Sequence, residues 1–238
     1  MLHRPIKGLA LLASAILMLT TAAISAAPTP VQAQGGQERI RIELEGGDRP
    51  LDIIRQLREE NLIPGGGKQE LTLRSTVINV RNEGFWYFPI GRGKELRDYV
   101  LHFEMRAQSL PSDTNGCGMA FRIRNDDDFS YVMLTKDRRI LLKQNDNNEA
   151  LVDFDRVIDD LEGIDASDYE LTNDQLQFIT IIAGREELIL FVNGVEITRE
   201  TGAKSVRGKF ATMLFNEEGN ETNSQCNYSN VFAWTFDE

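Results

Sequence analysis

From Leu71 to the end of the chain, apolar and polar residues alternate with a period of two. Segment 99–107 is the clearest case, with five apolar residues on one predicted face: Tyr99, Leu101, Phe103, Met105 and Ala107. This pattern is typical of a β-strand with one buried face. Similar short runs follow at 119–123, 130–135, 140–143, 178–183, 188–192, 210–215 and 231–236.

Turn-forming sequences separate these runs, and almost no helical pattern lies between them. Asn193-Gly194 is the strongest hairpin signal, because both residue types accept the positive φ of a tight two-residue turn. Short strands at this spacing specify a sandwich or a barrel. We therefore predict an all-β domain over residues 71–238.

One helix is predicted before the strands, between Pro50 and Asn61. Asp48 is placed to cap it, and Pro50 suits its first turn. Its predicted apolar stripe contains Leu51, Ile54, Leu57 and Leu62. A helix this short is marginally stable alone, so we expect the stripe to pack on the main body. Residues 49–70 are assigned to this helix and the Gly-rich turn that follows it.

The N-terminus has the three parts of a secretory signal peptide. Basic residues precede an apolar run from Leu9 to Leu19, and small residues lead to an A-x-A-like site, with predicted cleavage after Ala33. The apolar run is shorter than the roughly 20 residues that cross a bilayer. Residues 1–33 are thus predicted to be a signal peptide, an uncleaved N-terminal anchor being the alternative, and residues 34–48 a linker or an edge strand.

The chain is acidic, with 26 basic and 37 acidic residues. Removal of residues 1–33 takes away Arg4 and Lys7 and no acids, which leaves 24 basic residues against 37 acidic ones and a net charge of about −13. Such a surface repels nucleic-acid phosphates and anionic lipids. We predict neither nucleic acid nor membrane insertion for this protein.

Two cysteines are present, Cys117 and Cys226. In an exported chain a cysteine pair favours a disulfide over a metal or catalytic site. The bond would close a loop worth about 4–5 kcal/mol in the chain-entropy model. Two buried free thiols are the alternative.

Three segments, in their order along the chain, resemble the concanavalin A-like lectin/glucanase superfamily, in particular laminin G-like and 3-keto-disaccharide hydrolase-like domains. They are DFSYVMLTKDRRILLKQ, FITIIAGREELILFVNGVEI and GKFATMLFNEEGNETNSQCNYSNVFAWTFD. The resemblance covers about residues 71–238 and implies a two-sheet antiparallel jelly-roll sandwich, here with a short N-terminal helix. This fold contains both binding modules and enzymes, so function has to be argued from the site.

No catalytic set stands out in the sequence. The chain has two histidines, of which His3 lies in the predicted signal peptide, and His102 falls on a polar strand face as a solvated or hydrogen-bonded residue. The glucanase pattern E-x-D-x-x-E, which places two carboxylates at one glycosidic bond, is absent. A non-catalytic role is therefore favoured over an enzymatic one, with a hydrolase using Asp126, Asp128 or Asp153 as the alternative.

Oxygen-rich loops make calcium the one cofactor to consider, although none is required. Hard cations bind carboxylates and carbonyls in loops, and the candidate ligands are Asp126, Asp127, Asp128, Asp153 and Asp155. None of these segments has EF-hand spacing. The alternative is that they are solvated turns.

The run Phe85-Trp86-Tyr87-Phe88 is the densest aromatic cluster. A pyranose stacks its apolar C–H face on such rings, so Trp86, Tyr87 and Phe88 are the predicted ligand-binding residues. Because strand positions alternate, either Trp86 and Phe88 or Phe85 and Tyr87 would face away from the core. The alternative is that one pair packs inside the sandwich and the other under the helix.

The sequence thus predicts a secreted or cell-surface, non-catalytic recognition module that binds a glycan or another extracellular polymer. Two other functions stay open. One is a glycoside-active hydrolase of the 3-keto-disaccharide hydrolase-like kind, and the other is a structural or adhesion protein that binds a surface protein.

Overall fold

The computed structural model describes residues 39–146, 149–184, 186–217 and 223–236. The predicted signal peptide and residues 34–38 of the predicted linker lie outside this part of the chain. Two six-stranded antiparallel sheets face each other, which confirms the predicted jelly-roll sandwich. No helix among the described residues is long and apolar enough to cross a membrane.

Sheet A has the spatial order β1 (Lys68–Val80), β12 (Ser224–Thr235), β3 (Tyr99–Ser109), β8 (Gln177–Ala183), β9 (Glu187–Val192) and β10 (Val195–Thr201). Sheet B has the order β2 (Gly84–Ile90), β11 (Lys209–Asn216), β4 (Gly116–Asn125), β5 (Asp128–Thr135), β6 (Arg139–Asp146) and β7 (Glu149–Val157). The predicted hairpin joins β9 to β10, with φ of 50° at Asn193 and 77° at Gly194. Short 3-10 turns occur at Gly91–Gly93, Ile158–Asp160 and Ala166–Tyr169.

The main core lies between the two sheets, and the predicted disulfide crosses it. Cys117 of β4 and Cys226 of β12 are bonded, with 6.0 Å between their Cα atoms. Tyr228 also reaches across from sheet A: its Oη accepts a hydrogen bond from the Gly118 N–H at 3.0 Å and donates to the Met213 carbonyl at 2.6 Å. The sheets are therefore joined by one covalent bond and by polar contacts as well as by apolar packing.

The helix α1 (Pro50–Glu59) packs on the outer face of sheet A. Its buried residues are Ile53, Ile54 and Leu57, whereas Leu51 is 63% exposed. The predicted stripe was therefore wrong at Leu51, because Ile53 lies beside Ile54 and Leu57 on the face that meets the sheet. The predicted cap was also wrong: Arg49 is the N-cap, and the Asp48 carboxylate instead accepts a hydrogen bond from the Glu45 N–H at 2.7 Å.

Residues 39–48 form a strap along the same face of sheet A. An isolated bridge joins Arg41 to Val195 at the free edge of β10, where the Ile42 N–H donates to the Gly194 carbonyl at 2.8 Å. Further along, the buried Glu104 carboxylate accepts from the Gly47 N–H at 2.7 Å. The strap and the helix together bury the outer face of β3, which the sequence predicts as polar.

Candidate functional site

The outer face of sheet B carries exposed aromatic side chains, and neither helix α1 nor the strap packs on it. The strand register sets opposite residues on the same side of a sheet. One row across the face contains Tyr87, Met213, Gly118, Met133, Leu141 and Asp155, and the next contains Pro89, Ala211, Ala120, Tyr131, Lys143 and Asp153. The face thus changes from aromatic at β2 to charged at β7.

Aromatic rings form a platform at the β2 end of this face. The exposed fraction is 53% for Phe85 and 43% for Tyr87. The Phe85 ring centroid is 4.6 Å from that of Phe215 and 6.1 Å from that of Tyr131, which lies 5.9 Å from Phe129. These five side chains, Phe85, Tyr87, Phe129, Tyr131 and Phe215, are called the aromatic platform below.

Small residues of β4 allow the rings to meet across the sheet. Gly116, Gly118 and Ala120 occupy the outward positions of this strand. A Cβ atom at Gly118 would lie 2.0 Å from the Val132 carbonyl oxygen, and one at Gly116 would lie 2.7 Å from the Met133 Sδ. Glycine is required at both positions because the backbone of β5 and the Met133 side chain fill the space that a side chain would need.

Polar groups flank the platform at the β4–β5 turn. The Tyr87 hydroxyl donates a hydrogen bond to the Asp126 carboxylate. That bond, with partial burial and the negative charge of Asp126, raises the pKa of Tyr87 to about 12. A dent of about 10 Å³, roomy enough for about one water molecule, is lined by Tyr87, Ala120, Ile123, Asn125, Asp126 and Phe129.

A charged cluster borders the other side of the face, on β6 and β7. The Lys143 Nζ is 2.9 Å from Asp153 Oδ1, and the Arg139 Nη1 donates to Asp155 Oδ1 at 2.7 Å. Hydrogen bonding to Asp153 raises the pKa of Lys143. Strand β7 is not predicted from the sequence, and it is this strand that places both carboxylates on the outer face.

The three predicted ligand-binding residues do not share one surface. Tyr87 is displayed on the platform, whereas Trp86 points inward and packs against the main core, with its indole N–H donating to the carbonyls of Asn82 and Glu83, each at 3.1 Å. Phe88 has the same inward parity as Trp86 but is 38% exposed, since β2 is an edge strand. Phe85 and Tyr87 are therefore the pair that faces away from the core.

Sequence reasoning missed the residues that complete the platform. In β5 the outward positions 129, 131 and 133 are apolar, as are the inward positions 132 and 134. A strand that is apolar on both faces signals a second covered or contact-forming surface. That signal was available in DFSYVMLT, but it does not say which other strands supply the partners.

Four of the five predicted calcium ligands are engaged in ion pairs or hydrogen bonds. The Asp128 carboxylate, which is 3% exposed, lies 2.8 Å from Arg124 Nη1. Asp126 accepts from Tyr87, while Asp153 and Asp155 face Lys143 and Arg139. Among the described residues, no group of three or more His, Cys, Asp or Glu side chains is placed to hold a metal ion. Calcium binding stays a prediction.

His102 is buried on the outer face of sheet A, the face on which helix α1 and the strap pack. It is 1% exposed, its ring stacks on Phe232 at 5.2 Å, and its Nδ1 is 2.9 Å from Thr180 Oγ1. Burial lowers the pKa of His102 to about 3. The imidazole is therefore a neutral packing group, in agreement with the hydrogen-bonded interpretation rather than with a catalytic one.

No protein-family model matches the sequence, and no curated protein is significantly similar to it. Solved structures of similar fold include the carbohydrate-binding module CBM66 from Bacillus subtilis, with 10% identity and a TM-score of 0.48 over 67% of this chain and 91% of that one.

Two glucanases are also similar in fold. A prokaryotic β-1,3-1,4-glucanase (lichenase) derived from a mouse hindgut metagenome has 9% identity and a TM-score of 0.48 over 74% of this chain and 90% of that one. A β-glucanase from Bacillus licheniformis has 11% identity and a TM-score of 0.45 over 60% and 69% of the two chains. At identities of 9–11%, function has to be argued from the residues of this chain.

Proposed function

We propose that this protein is an exported, non-catalytic carbohydrate-binding protein that binds a glycan on the outer face of sheet B. The observation that supports this most is the exposure of the Phe85 and Tyr87 rings, side by side on one strand and unopposed by any described element. Exposed apolar patches on a folded domain mark contact surfaces. A disulfide between the two sheets is characteristic of a protein that folds in an oxidising compartment.

The platform has the two kinds of group that a sugar ring needs. Aromatic rings offer apolar faces to the C–H groups of a pyranose, and fixed polar groups beside them orient its hydroxyls. At the β4–β5 turn the polar group is the Asp126 carboxylate, and at the other side of the face it is the Lys143–Asp153 pair. These groups sit on strands or at a tight turn, so little ordering is needed on binding.

Binding to a panel of neutral oligosaccharides and polysaccharides tests this proposal. We expect Tyr87→Ala and Phe85→Ala each to weaken binding by about tenfold, because the exposed part of each ring would be buried against the sugar, which is worth on the order of 1–2 kcal/mol. Leu51→Ala is the matched control, since Leu51 is also exposed, at 63%, but lies on helix α1. Phe88→Ala separates the two candidate pairs and should have little effect.

Two results would count against the proposal. If no glycan binds, the platform has a different partner, and a surface protein becomes the next candidate to test by affinity capture with wild type and Tyr87→Ala. If a glycan binds and all four variants bind it equally well, the glycan site lies elsewhere on the molecule.

A hydrolase is the second candidate, because Asp153 and Asp155 lie two residues apart on the same outward face beside the platform. A glycosidase needs one of its two carboxyls protonated as the general acid. Here both carboxylates instead face cations, Lys143 and Arg139. We therefore expect no turnover of the glycan that binds best, and a rate that falls with Asp153→Asn or Asp155→Asn would establish the hydrolase instead.

A further inference from the structure

A second candidate binding site lies at one end of the sandwich, away from the platform residues. It is a cavity of about 450 Å³, within the size range of small-molecule sites. Its walls come from the start of β1, the loop before β3, the loop before β11 and the end of β12. The lining residues are Glu70, Lys94, Glu95, Leu96, Arg97, Asp98, Arg207, Thr235 and Phe236.

A two-way backbone bridge fixes the positions of two arginines in this cavity. The Leu96 N–H donates to the Gly208 carbonyl at 3.1 Å, and the Gly208 N–H donates back to the Leu96 carbonyl at 3.1 Å. Because the bridge is antiparallel, the next residues along, Arg97 and Arg207, come opposite each other. Like charges at opposed positions are destabilising, so this arrangement costs stability unless an anion lies between them.

The acids of the cavity are already engaged by other groups. Glu70 is contacted by Lys94 and, at 3.0 Å, by Lys68. Hydrogen bonds from these two lysines hold the pKa of Glu70 below its ordinary value. Asp98 accepts a hydrogen bond from the Ser205 hydroxyl at 2.8 Å, and Glu95 lies 3.9 Å from the Lys209 Nζ.

Arg97 and Arg207, in contrast, have no acidic side chain at ion-pair distance in the part of the chain that the structure describes. A third guanidinium lies behind this end of the sandwich. Arg122 is fully buried and donates to the Gly184 carbonyl at 2.9 Å, and Gly208 packs so closely on it that a Cβ there would lie 2.2 Å from the Arg122 carbonyl carbon. The bridge that carries Arg207 therefore rests on a fixed support.

We propose that this cavity binds a singly charged oxyanion on a molecule the size of a sugar acid, with the carboxylate of a hexuronate as the first candidate. Two guanidinium groups match the planar oxygens of a carboxylate. The lining acids and bases are equal in number, so a single negative charge suits the cavity better than a dianion does. Phe236 and Leu96 supply the apolar wall that a pyranose ring needs.

Calorimetric titration of the full chain with D-glucuronate, with neutral D-glucose as the isosteric comparison, tests this site. We expect glucuronate to bind and glucose not to, and Arg97→Gln or Arg207→Gln to weaken the binding by at least about tenfold. Arg74→Gln is the matched control, because Arg74 is exposed on β1 and does not line the cavity. Binding should also weaken as salt is raised.

Further experiments locate the bound ligand and identify its charged group. In an NMR titration of the wild type, the amide signals of Leu96, Gly208 and Phe236 should shift, which tests the site even if a variant fails to fold. Binding of glucose 6-sulfate with the same dependence on Arg97 would assign the oxyanion to a sulfate ester. Equal binding of glucose and glucuronate, or shifts confined to other residues, would overturn the proposal. Tyr87→Ala should leave glucuronate binding unchanged, so the two proposed sites fail independently.

Discussion

The outer faces of the two sheets differ in what covers them. On sheet A, Val100 and Phe232 are fully buried because helix α1 and the strap lie across them. On sheet B, Met133 and Met213 are also buried, but the side chains that cover them belong to the sheet itself. Phe85 and Tyr87, the outermost of these, stay about half exposed.

The two outer faces therefore contribute differently to stability and to binding. A sheet face closed by a separate helix is a structural layer, whereas a face closed only by its own rings presents those rings to solvent and to a partner. The covered face also has the polar groups that would be costly if left unpaired, since Glu104 accepts from Gly47, Ser229 and Asn230. The open face has its polar groups at the rim.

Removal of the disulfide should lower the free energy of unfolding more than any other change considered, and it should destabilise both sheets equally. We expect Cys117→Ala/Cys226→Ala to lower the free energy of unfolding by about 4–5 kcal/mol, because 109 residues separate the bonded cysteines. Urea unfolding measures the change. Amide hydrogen exchange should rise equally in both sheets, and a rise confined to sheet B would show that the sheets unfold separately.

Truncation of one apolar side chain on each face should separate the two surfaces. Leu57→Ala should lower the free energy of unfolding by about 2–5 kcal/mol, since Leu57 is fully buried between helix α1 and sheet A. Phe85→Ala should cost about 1 kcal/mol or less, because the ring is 53% exposed. Equal losses in urea unfolding would mean that the platform is a structural layer too, and the contrast between the faces would not hold.

Acid should weaken the covered face through His102. Burial lowers the pKa of His102 to about 3, so below pH 6.5 the unfolded chain binds a proton that the folded chain does not. Stability is fully present above pH 6.5 and falls between pH 6.5 and 3, by up to about 1.4 kcal/mol per pH unit.

The free energy of unfolding of the wild type and of His102→Gln is measured between pH 6.5 and 5, where the ionisation of carboxylates contributes little to its change. His102→Gln keeps a side chain that can bond to Thr180 and removes the titration, so its stability should be nearly flat over this range. In the wild type, faster exchange of the α1 amides on acidification would place the effect at the helix interface. If stability changes with pH in the same way in both proteins, His102 is not the group responsible for the loss of stability in acid.

The sequence was sufficient for the strands whose alternation is clean. Segment 99–107 became β3 because an apolar residue at every second position leaves one face to bury in the main core. Strand β7 was missed because its inward apolar residues, Val152 and Phe154, lie among acids and do not form a clear alternation. Its charges are what an edge strand needs to avoid pairing with another chain.

The candidate binding site was less predictable than the strands, because a local sequence pattern does not show which distant residues meet. In the run from Phe85 to Phe88 every residue is aromatic, so alternation says that one pair faces out but not which pair. The partners of Phe85 come from β5 and β11, more than 40 residues away along the chain. Which sheet the helix covers likewise depends on contacts with residues far along the chain, such as Phe191 and Phe232, and does not follow from the periodicity of the helix alone.

The smallest expected effect concerns the polar rim of the open face. Tyr87 donates a hydrogen bond to Asp126 at the surface, so Tyr87→Phe should lower the free energy of unfolding by less than about 1 kcal/mol. The pKa of Tyr87 is a more sensitive measure of this hydrogen bond than the free energy of unfolding. Because the bond to Asp126 raises the pKa of Tyr87 to about 12, the folded protein keeps this proton through pH 10 to 12, and the stability it contributes below pH 10 is lost over that range.

Ultraviolet titration of tyrosine ionisation, taken as the difference between wild type and Tyr87→Phe, isolates this group from the other tyrosines. In Asp126→Asn the hydroxyl has a neutral partner, so Tyr87 should ionise closer to pH 10. If Asp126→Asn leaves the titration unchanged, the carboxylate does not hold the ring. The polar groups at the rim of the open face would then not be fixed, and the orientation that we propose for a bound sugar would lose its main support. The covered face would be unaffected, because three donors hold Glu104 there.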